Sequence, residues 1–262
     1  MLISGNERQR YDCQLVLKEV GERGQQRLRE AAVLVVGAGG LGAPALYYLA
    51  AAGVGRIGIV DDDVVELSNL QRQVLFTTAD VGRSKAEVAA ERLSALNPEP
   101  DIRPYRLRLA AANIAGLVGA HDIVVTAVDN FPTRFLINDA VVLAGKTLCD
   151  GAVLRLIGMA MTVKGGETAC YRCLFPEPPP PAGVISCSEA GVLGPIPGII
   201  GAIQALEAIK VITGAGRPLY DRLLQVDGAD LSIREVQVGR AATCPVCGEH
   251  PTITELRDEE TL

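Results

Sequence analysis

Two cysteine pairs, Cys170-x-x-Cys173 and Cys244-x-x-Cys247, carry the most specific chemical signal in the chain. Thiolates at this spacing converge readily on one tetrahedral Zn²⁺, and a site closed by four sulfurs leaves no open position for catalysis. Pro245 and Gly248 make a tight knuckle of the second pair. The interval between the pairs exceeds that of a zinc ribbon, so they must meet through the fold. Two redox-active pairs or unrelated buried thiols are the competing readings. Cys187 stands outside both pairs, in the run Ile185-Ser186-Cys187-Ser188-Glu189. A loop thiol there could be a nucleophile; an inert buried thiol is the plainer reading. Cys149 reads as core, and His121 and His250 stand alone, without the Ser/His/Asp set of a hydrolytic triad.

A second group has the types needed to hold a nucleotide. Four aliphatic residues run into Gly37-Ala38-Gly39-Gly40-Leu41-Gly42, and an Ala-rich helix and a second aliphatic run ending at Asp61 follow. In such a strand–turn–helix–strand unit, Gly37 makes the tight turn, Gly39 lets backbone approach a phosphate, and Gly42 lets the helix pack on the strand. The helix N-terminus then offers unpaired N–H groups to an anion. Asp61, at a strand's end, suits ribose hydroxyls. Arg72 and Lys85 follow in a loop and a helix start that can reach the same crevice. Two phosphates rarely need that extra positive charge, whereas a triphosphate does. Solvated surface charge is the bland alternative, weakened when Asn69-Leu70-Gln71-Arg72-Gln73 is taken as a unit. Asp129-Asn130 follows another aliphatic strand. A carboxylate there could hold Mg²⁺, and a helix N-cap is an equally good use of the same pair.

These residues need a frame, and the chain supplies one. Its 262 residues, 48% hydrophobic with no Trp, suit an aliphatic α/β core. The pattern predicts a helical arm over 1–30 broken at Gly21–Gly24, a βαβ unit over 33–61 and a polar loop over 62–78. A helix over 80–96 capped by Asp80 comes next, then a strand at 102–107, a helix at 110–118, a strand at 122–128 and a helix at 132–144. A short strand at 146–149 precedes extended antiparallel structure over 152–163. A proline-rich loop at 174–190, a helix over 195–213 and a closing hairpin around Asp227-Gly228 complete it. The fold class is therefore α/β, a Rossmann-like mixed sheet with a parallel N-terminal half, antiparallel C-terminal strands and a structural zinc site, in one domain over 1–262. The net charge of −6 argues against nucleic acid as the main partner. The apolar stretch at 196–212 carries Gln204, Glu207 and Lys210 and is shorter than the ~20 residues of a membrane span. It reads as a buried helix, with no membrane partner. The N-terminus has no apolar signal core, which points to the cytoplasm and to reduced thiols.

Taken together, the motifs resemble the MoeB/ThiF/HesA family, relatives of the ubiquitin-activating enzymes. The resemblance rests on Arg10-Tyr11-x-x-Gln14, the glycine turn, Asp61-x-Asp63, Ser68-Asn69-Leu70-Gln71-Arg72-Gln73 and Val81-Gly82-x-x-Lys85. Asp129-Asn130, both CxxC pairs and Cys187-x-Glu189-Ala190-Gly191 complete it. It implies adenylylation of the C-terminal glycine of a small ubiquitin-like sulfur-carrier protein, with ATP and Mg²⁺. By motif, Gly40 meets the phosphates and Asp61 the ribose. Asn69, Arg72 and Lys85 hold the triphosphate, and Asp129 holds Mg²⁺. The resemblance also implies a homodimer, a sulfurtransferase as possible sulfur donor, and a proline-rich loop near the carrier's tail. Cys187 matches a family cysteine that takes part in sulfur or acyl transfer in some members. One departure stands out: where the family has a second N-terminal Arg reaching into the neighbouring subunit's ATP site, this chain has Cys13. Cysteine cannot supply a delocalised cation. Arg8 or Arg10 substitutes, or the enzyme is slower or changed in task. Two other classes compete: a nucleotide-binding module without turnover, and an NAD-linked oxidoreductase suggested by the glycine turn alone.

Overall fold

The computed structural model describes residues 5–179 and 190–258. Cys187 and much of the proline-rich loop lie outside the described residues. One eight-stranded mixed sheet dominates, in the order β3-β2-β1-β4-β5-β6-β7-β8. β1 (Ala32–Val36), β2 (Arg56–Val60), β3 (Asp101–Tyr105), β4 (Ile123–Thr126) and the first half of β5 (Thr147–Leu154) run parallel. β5 then pairs antiparallel with β6 (Ile157–Lys164), which continues into β7 (Arg222–Asp227) and β8 (Ser232–Gln237). The strand expected at 146–149 thus runs on to Leu154, because β6 pairs with it along its whole length, beyond the point where β4 ends.

Strand composition follows position. Every residue of β1 and β4 is buried, as continuous aliphatic runs covered on both faces must be. β3 lies on the edge and carries Pro104 and charged residues, where a missing N–H costs least. The helices that cover the sheet are α1 (Gly5–Arg10), α2 (Asp12–Leu15), α3 (Gly21–Glu30), α4 (Gly42–Ala51), α5 (Lys85–Leu96), α6 (Ala111–Gly119), α7 (Phe131–Leu143), α8 (Tyr171–Leu174) and α9 (Pro195–Thr213). α9 packs on α3, α4, β5 and β6 and buries Ile196, Ile200, Ala205 and Ala208. It is long and apolar enough to meet a membrane-span criterion, but half of that stretch is buried here. Its polar residues are engaged within the fold. Glu207 accepts from the Thr162 hydroxyl and the Leu219 amide, both at 2.6 Å.

Two expectations are corrected. The arm does not break at Gly21–Gly24; α3 begins at Gly21, and the break is the turn over 16–20. Gly21 supplies a positive φ of 58° that ends this turn, after which the chain is helical through Glu30. Asp80 does not cap the following helix either. α5 starts at Lys85, with the Ser84 hydroxyl accepting from the Glu87 amide at 3.5 Å. Asp80 closes the preceding single turn instead. It accepts from the Thr77 amide (2.9 Å), the Thr77 hydroxyl (2.7 Å), Arg92 (2.8 Å) and Arg83 (3.2 Å).

Burial alone would raise the Asp80 carboxyl, but Thr77 and Arg92 outweigh it and hold the pKa down at about 2. A folded-state pKa below the ordinary value stabilises above that value and loses the contribution as pH falls. Asp80→Asn should therefore melt below wild type at neutral pH, with the gap closing as pH falls from about 4 toward about 2. Thermal melts across that range check it; a gap independent of pH would leave Asp80 a purely steric role.

Candidate functional site

The strand order reverses between β1 and β4, since β1 leads to β2 on one side while β4 lies on the other. Such a switch point opens a crevice at the carboxyl ends of the strands. Here it is a cleft of about 690 Å³. The glycine turn lies in its floor and passes very close to β4. Gly37 has φ of +93°, and a Cβ on it would stand 2.5 Å from the Ala127 carbonyl oxygen. A Cβ on Gly42 would stand 1.9 Å from the Gly37 oxygen. Gly39 and Gly40 line the cleft directly.

The charged residues converge on the same space. Asp61 accepts from the Ala38 amide in the turn (2.7 Å) and from the Asp63 amide (2.9 Å). Its pKa is raised because burial outweighs those two bonds. Asp63 forms an ion pair with Lys85 at 2.8 Å and accepts the Lys85 amide at 3.0 Å. The Lys85 side chain is only 7% exposed, so the pair brings a cation into an almost closed position. Arg72 also lines the cleft, with one Nη donating to the Ser68 carbonyl at 3.2 Å.

Asp129 and Asn130 divide the two uses considered for them. Asn130 is the N-cap of α7, its Oδ1 accepting from the Thr133 amide at 2.9 Å. Asp129 lines the cleft, is exposed, and has no hydrogen-bond or ion-pair partner among the described residues.

Not every expected residue reaches the wall. Asn69 is buried behind it, with Nδ2 donating to the Ser68 hydroxyl at 3.3 Å. Gln71 is exposed, and its carbonyl lies against Gly194. Beside the glycine turn, with Arg72 near Gly40, lies Gln73. It is buried, packs near Gly39, and its Oε1 has no partner among the described residues. Gln73 sits inside a recognised motif, so its type was visible and its orientation was not.

Two further groups had no signal in the sequence. Arg134 and Asp150 form a buried ion pair on the cleft wall, at 2.7 and 2.8 Å to the two carboxylate oxygens. Beyond Asp129 the wall turns apolar, with Met159, Met161, Phe175, Val192 and Leu223. Residues 191–193 bond to the tip of the β5–β6 hairpin through Arg155, which gives this arm a partial roof. The cleft thus joins a polar part around the glycine turn to an apolar arm.

The four paired cysteines meet on the far side of α7. Sγ–Sγ distances are 3.9 Å for Cys170–Cys173, 3.6 Å for Cys170–Cys244 and 3.4 Å for Cys173–Cys247, and all four sulfurs lie within 4.8 Å of one another. A zinc tetrahedron with Zn–S of about 2.3 Å has edges of about 3.8 Å, so the set fits that ion. Hydrogen bonding from the Cys170 and Cys247 thiols pulls the Cys173 pKa down. The amides of Cys170 and Ala241 also point at its sulfur, each at 3.4 Å. Both features favour thiolate at this corner.

The chain matches the model described as the ThiF family over residues 11–246. It is similar to the sulfur carrier protein adenylyltransferase of Thermus thermophilus, at 52% identity over 258 residues, 97% of this chain and 95% of that one. It is also similar to the adenylyltransferase and sulfurtransferase MOCS3 of Mus musculus, at 48% identity over 261 residues. It spans 57% of the length of that relative and 99% of itself aligns. Among solved structures, MccB of E. coli with ATP superposes at a TM-score of 0.75 and 26% identity, over 86% of this chain and 68% of that one. MccB in complex with N-formylated MccA gives 0.76 and 27%, over 86% and 70%.

The division between Asp129 and Asn130 is directly testable. Asn130→Ala should cost about 1 kcal/mol of stability, as loss of a helix cap does. Asp129→Asn should leave the melt unchanged. Equal destabilisation by both in denaturant titrations would mean that the two residues share the capping role.

Proposed function

The chain belongs to the ThiF family, and on that footing we propose that it is an ATP-dependent adenylyltransferase acting on the C-terminal glycine carboxylate of a small ubiquitin-like sulfur-carrier protein. The observation that carries this reading is the convergence of Arg72, Lys85 and Asp129, which has no hydrogen-bond or ion-pair partner among the described residues, on the cleft of the glycine turn, whose other part is an apolar arm. The carrier's carboxylate oxygen bonds to the α-phosphorus, the bond from that phosphorus to the bridging oxygen breaks, and pyrophosphate leaves. The two reactants are both anions, so positive charge must be in place before they meet.

In this reading Gly37, Gly39, Gly40 and Gly42 shape the phosphate seat, and Asp61 receives the ribose. Arg72 and Lys85 hold the triphosphate. Asp63 keeps Lys85 in place, and Asn69 and Gln71 support the loop that presents Arg72. Asp129, beside Asn130, holds Mg²⁺, which supplies charge neutralisation on the phosphates. Cys170, Cys173, Cys244 and Cys247 hold a structural Zn²⁺. The carrier's Gly-Gly tail lies along the apolar arm. Cys187 in the proline-rich loop is a candidate for later sulfur chemistry with a sulfurtransferase donor. The protein works as a cytoplasmic homodimer of single adenylylation domains, each with its helical arm at 1–30.

One observation favours a second reading, a homologue that binds nucleotide and carrier with little turnover. Cys13 is exposed at the position of the missing arginine. The two candidate substitutes have partners within their own chain: Arg8 pairs with Glu22, and Arg10 donates to the Leu96 carbonyl at 3.0 Å. The NAD-linked reading gains nothing from the cleft, whose added cations and exposed Asp129 carboxylate suit a metal-bound triphosphate.

Purified protein with a carrier ending in Gly-Gly should catalyse carrier-dependent exchange of pyrophosphate into ATP. Asp129→Asn or Lys85→Met should lower that exchange about 100-fold or more while the protein still folds. Binding of both partners without exchange would support the second reading; no carrier dependence at all would sink the first. Metal analysis of protein purified without chelator should find one zinc per chain, and finding none would remove the zinc assignment.

A further inference from the structure

We propose that Arg134 is a positioning residue for Asp129, acting as the link in a buried brace that runs from Tyr171 through the Arg134–Asp150 pair to the Val128 carbonyl. The proposal rests on the reading of Asp129 as the carboxylate that meets Mg²⁺.

The Asp129 side chain has no hydrogen-bond or ion-pair partner among the described residues, so its direction is set by the backbone on either side. On one side, Asn130 caps α7 and fixes the helix start. On the other, the Val128 carbonyl belongs to the peptide unit that ends at the Asp129 nitrogen. That carbonyl accepts from an Arg134 Nη at 3.1 Å. The second Nη of Arg134 donates to both oxygens of Asp150, at 2.7 and 2.8 Å. Asp150 is the partner of Thr126 at the last rung of the β4–β5 ladder. One guanidinium therefore ties α7 to the end of β5 and to the segment leaving β4, at the point where the two strands part.

The brace is itself held. The Tyr171 ring covers the Arg134 guanidinium at 5.6 Å and meets Phe135 edge-on at 5.1 Å. The Tyr171 amide donates to Asn138 Oδ1 at 2.8 Å, one turn along α7 from Arg134. The neighbouring Arg172 makes a two-pronged bond to Asp139, both distances 2.7 Å. Residues of the first cysteine pair thus grip the helix whose start presents Asp129.

Stability alone does not account for this arrangement. A buried ion pair is often no better for folding than apolar residues of similar volume. What an apolar pair cannot do is hold a backbone carbonyl, and what lysine cannot do is serve that carbonyl and a carboxylate with one rigid fork. Partners that orient a metal-binding group usually cost about 10–100-fold in metal affinity when changed.

The test uses the full chain in two variants. Arg134→Lys keeps the charge and loses the fork. Arg134→Met with Asp150→Leu removes the pair without leaving a buried charge. ATP binding is followed by calorimetry at graded Mg²⁺ and again with a chelator. The Mg²⁺ midpoint should rise about tenfold or more in each folded variant, with metal-free ATP binding unchanged. In carrier-dependent exchange, kcat should fall while the KM for the carrier stays put. A wild-type midpoint in a variant that folds overturns the brace. If both variants fail to fold, the pair is a folding element and the proposal is rejected. If wild type itself shows no Mg²⁺ dependence, the reading of Asp129 fails and the brace falls with it.

Discussion

Everything at the carboxyl end of the sheet depends on how closely the turn between β1 and α4 passes the end of β4. A side chain at Gly37 would collide with the Ala127 carbonyl and one at Gly42 with the Gly37 carbonyl. Only backbone fits at these two positions, and Gly37, Gly39 and Gly40 line the cleft there. Asp61 ties the turn down from the β2 side through the Ala38 amide. Gln204 closes it from beneath, as its Nε2 donates to the Thr126 carbonyl at 2.7 Å and the Cys149 carbonyl at 3.0 Å. One side chain of α9 thereby binds the last carbonyl of β4 and a carbonyl within β5, next to the place where their ladder stops.

Electrostatics decides what that floor can hold. An anion seat built from N–H groups alone suits one or two phosphates. The loop over 62–78 and the start of α5 add Arg72 and Lys85, and the ion pair with Asp63 orients Lys85. Against these cations stands Asp129, a carboxylate of the cleft wall with no hydrogen-bond or ion-pair partner among the described residues; Asp62 lines the same cleft and is likewise exposed. The freedom of Asp129 is a consequence of Asn130, which does the capping. A cation pair facing an available carboxylate is the arrangement a metal-bound triphosphate needs, and the apolar arm beyond it is the place for a second, extended substrate.

Much of this was readable in one dimension, for identifiable reasons. β1, β2 and β4 are aliphatic runs because both faces are covered, and the ends of α5 and α9 are set by Asn97-Pro98 and by Gly194, Pro195 and Gly214. Glycine spacing and cysteine spacing are local, and they located the turn and the sulfur cluster. What was not legible depends on which neighbour a side chain finds in space. Asp80 has the type of a helix cap, yet Thr77 and Arg92 claim it. Gln73 and Gln71 are alike in type, and only the turn of the loop directs one to the glycines. Arg134 and Asp150 lie on a helix and a strand, with no periodicity linking them. Asp129 and Asn130 could each have capped α7, and the choice between them exists only in the folded chain.

The sulfur cluster and the cleft are joined through α7, which Tyr171 and Arg172 grip on one side and which offers Asn130 and Asp129 at its start. The cysteine cluster and the wall of the cleft are thus tied to one helix, the first through Asn138 and Asp139 and the second at its start. The most direct measurement of the central claim is the intact mass of the carrier protein after incubation with this protein, ATP and Mg²⁺, with the sulfur donor left out. A carrier heavier by one adenylyl group, formed only when its C-terminal glycine is present, is the predicted result. A carrier of unchanged mass, under conditions where both ATP and carrier are bound, would contradict it.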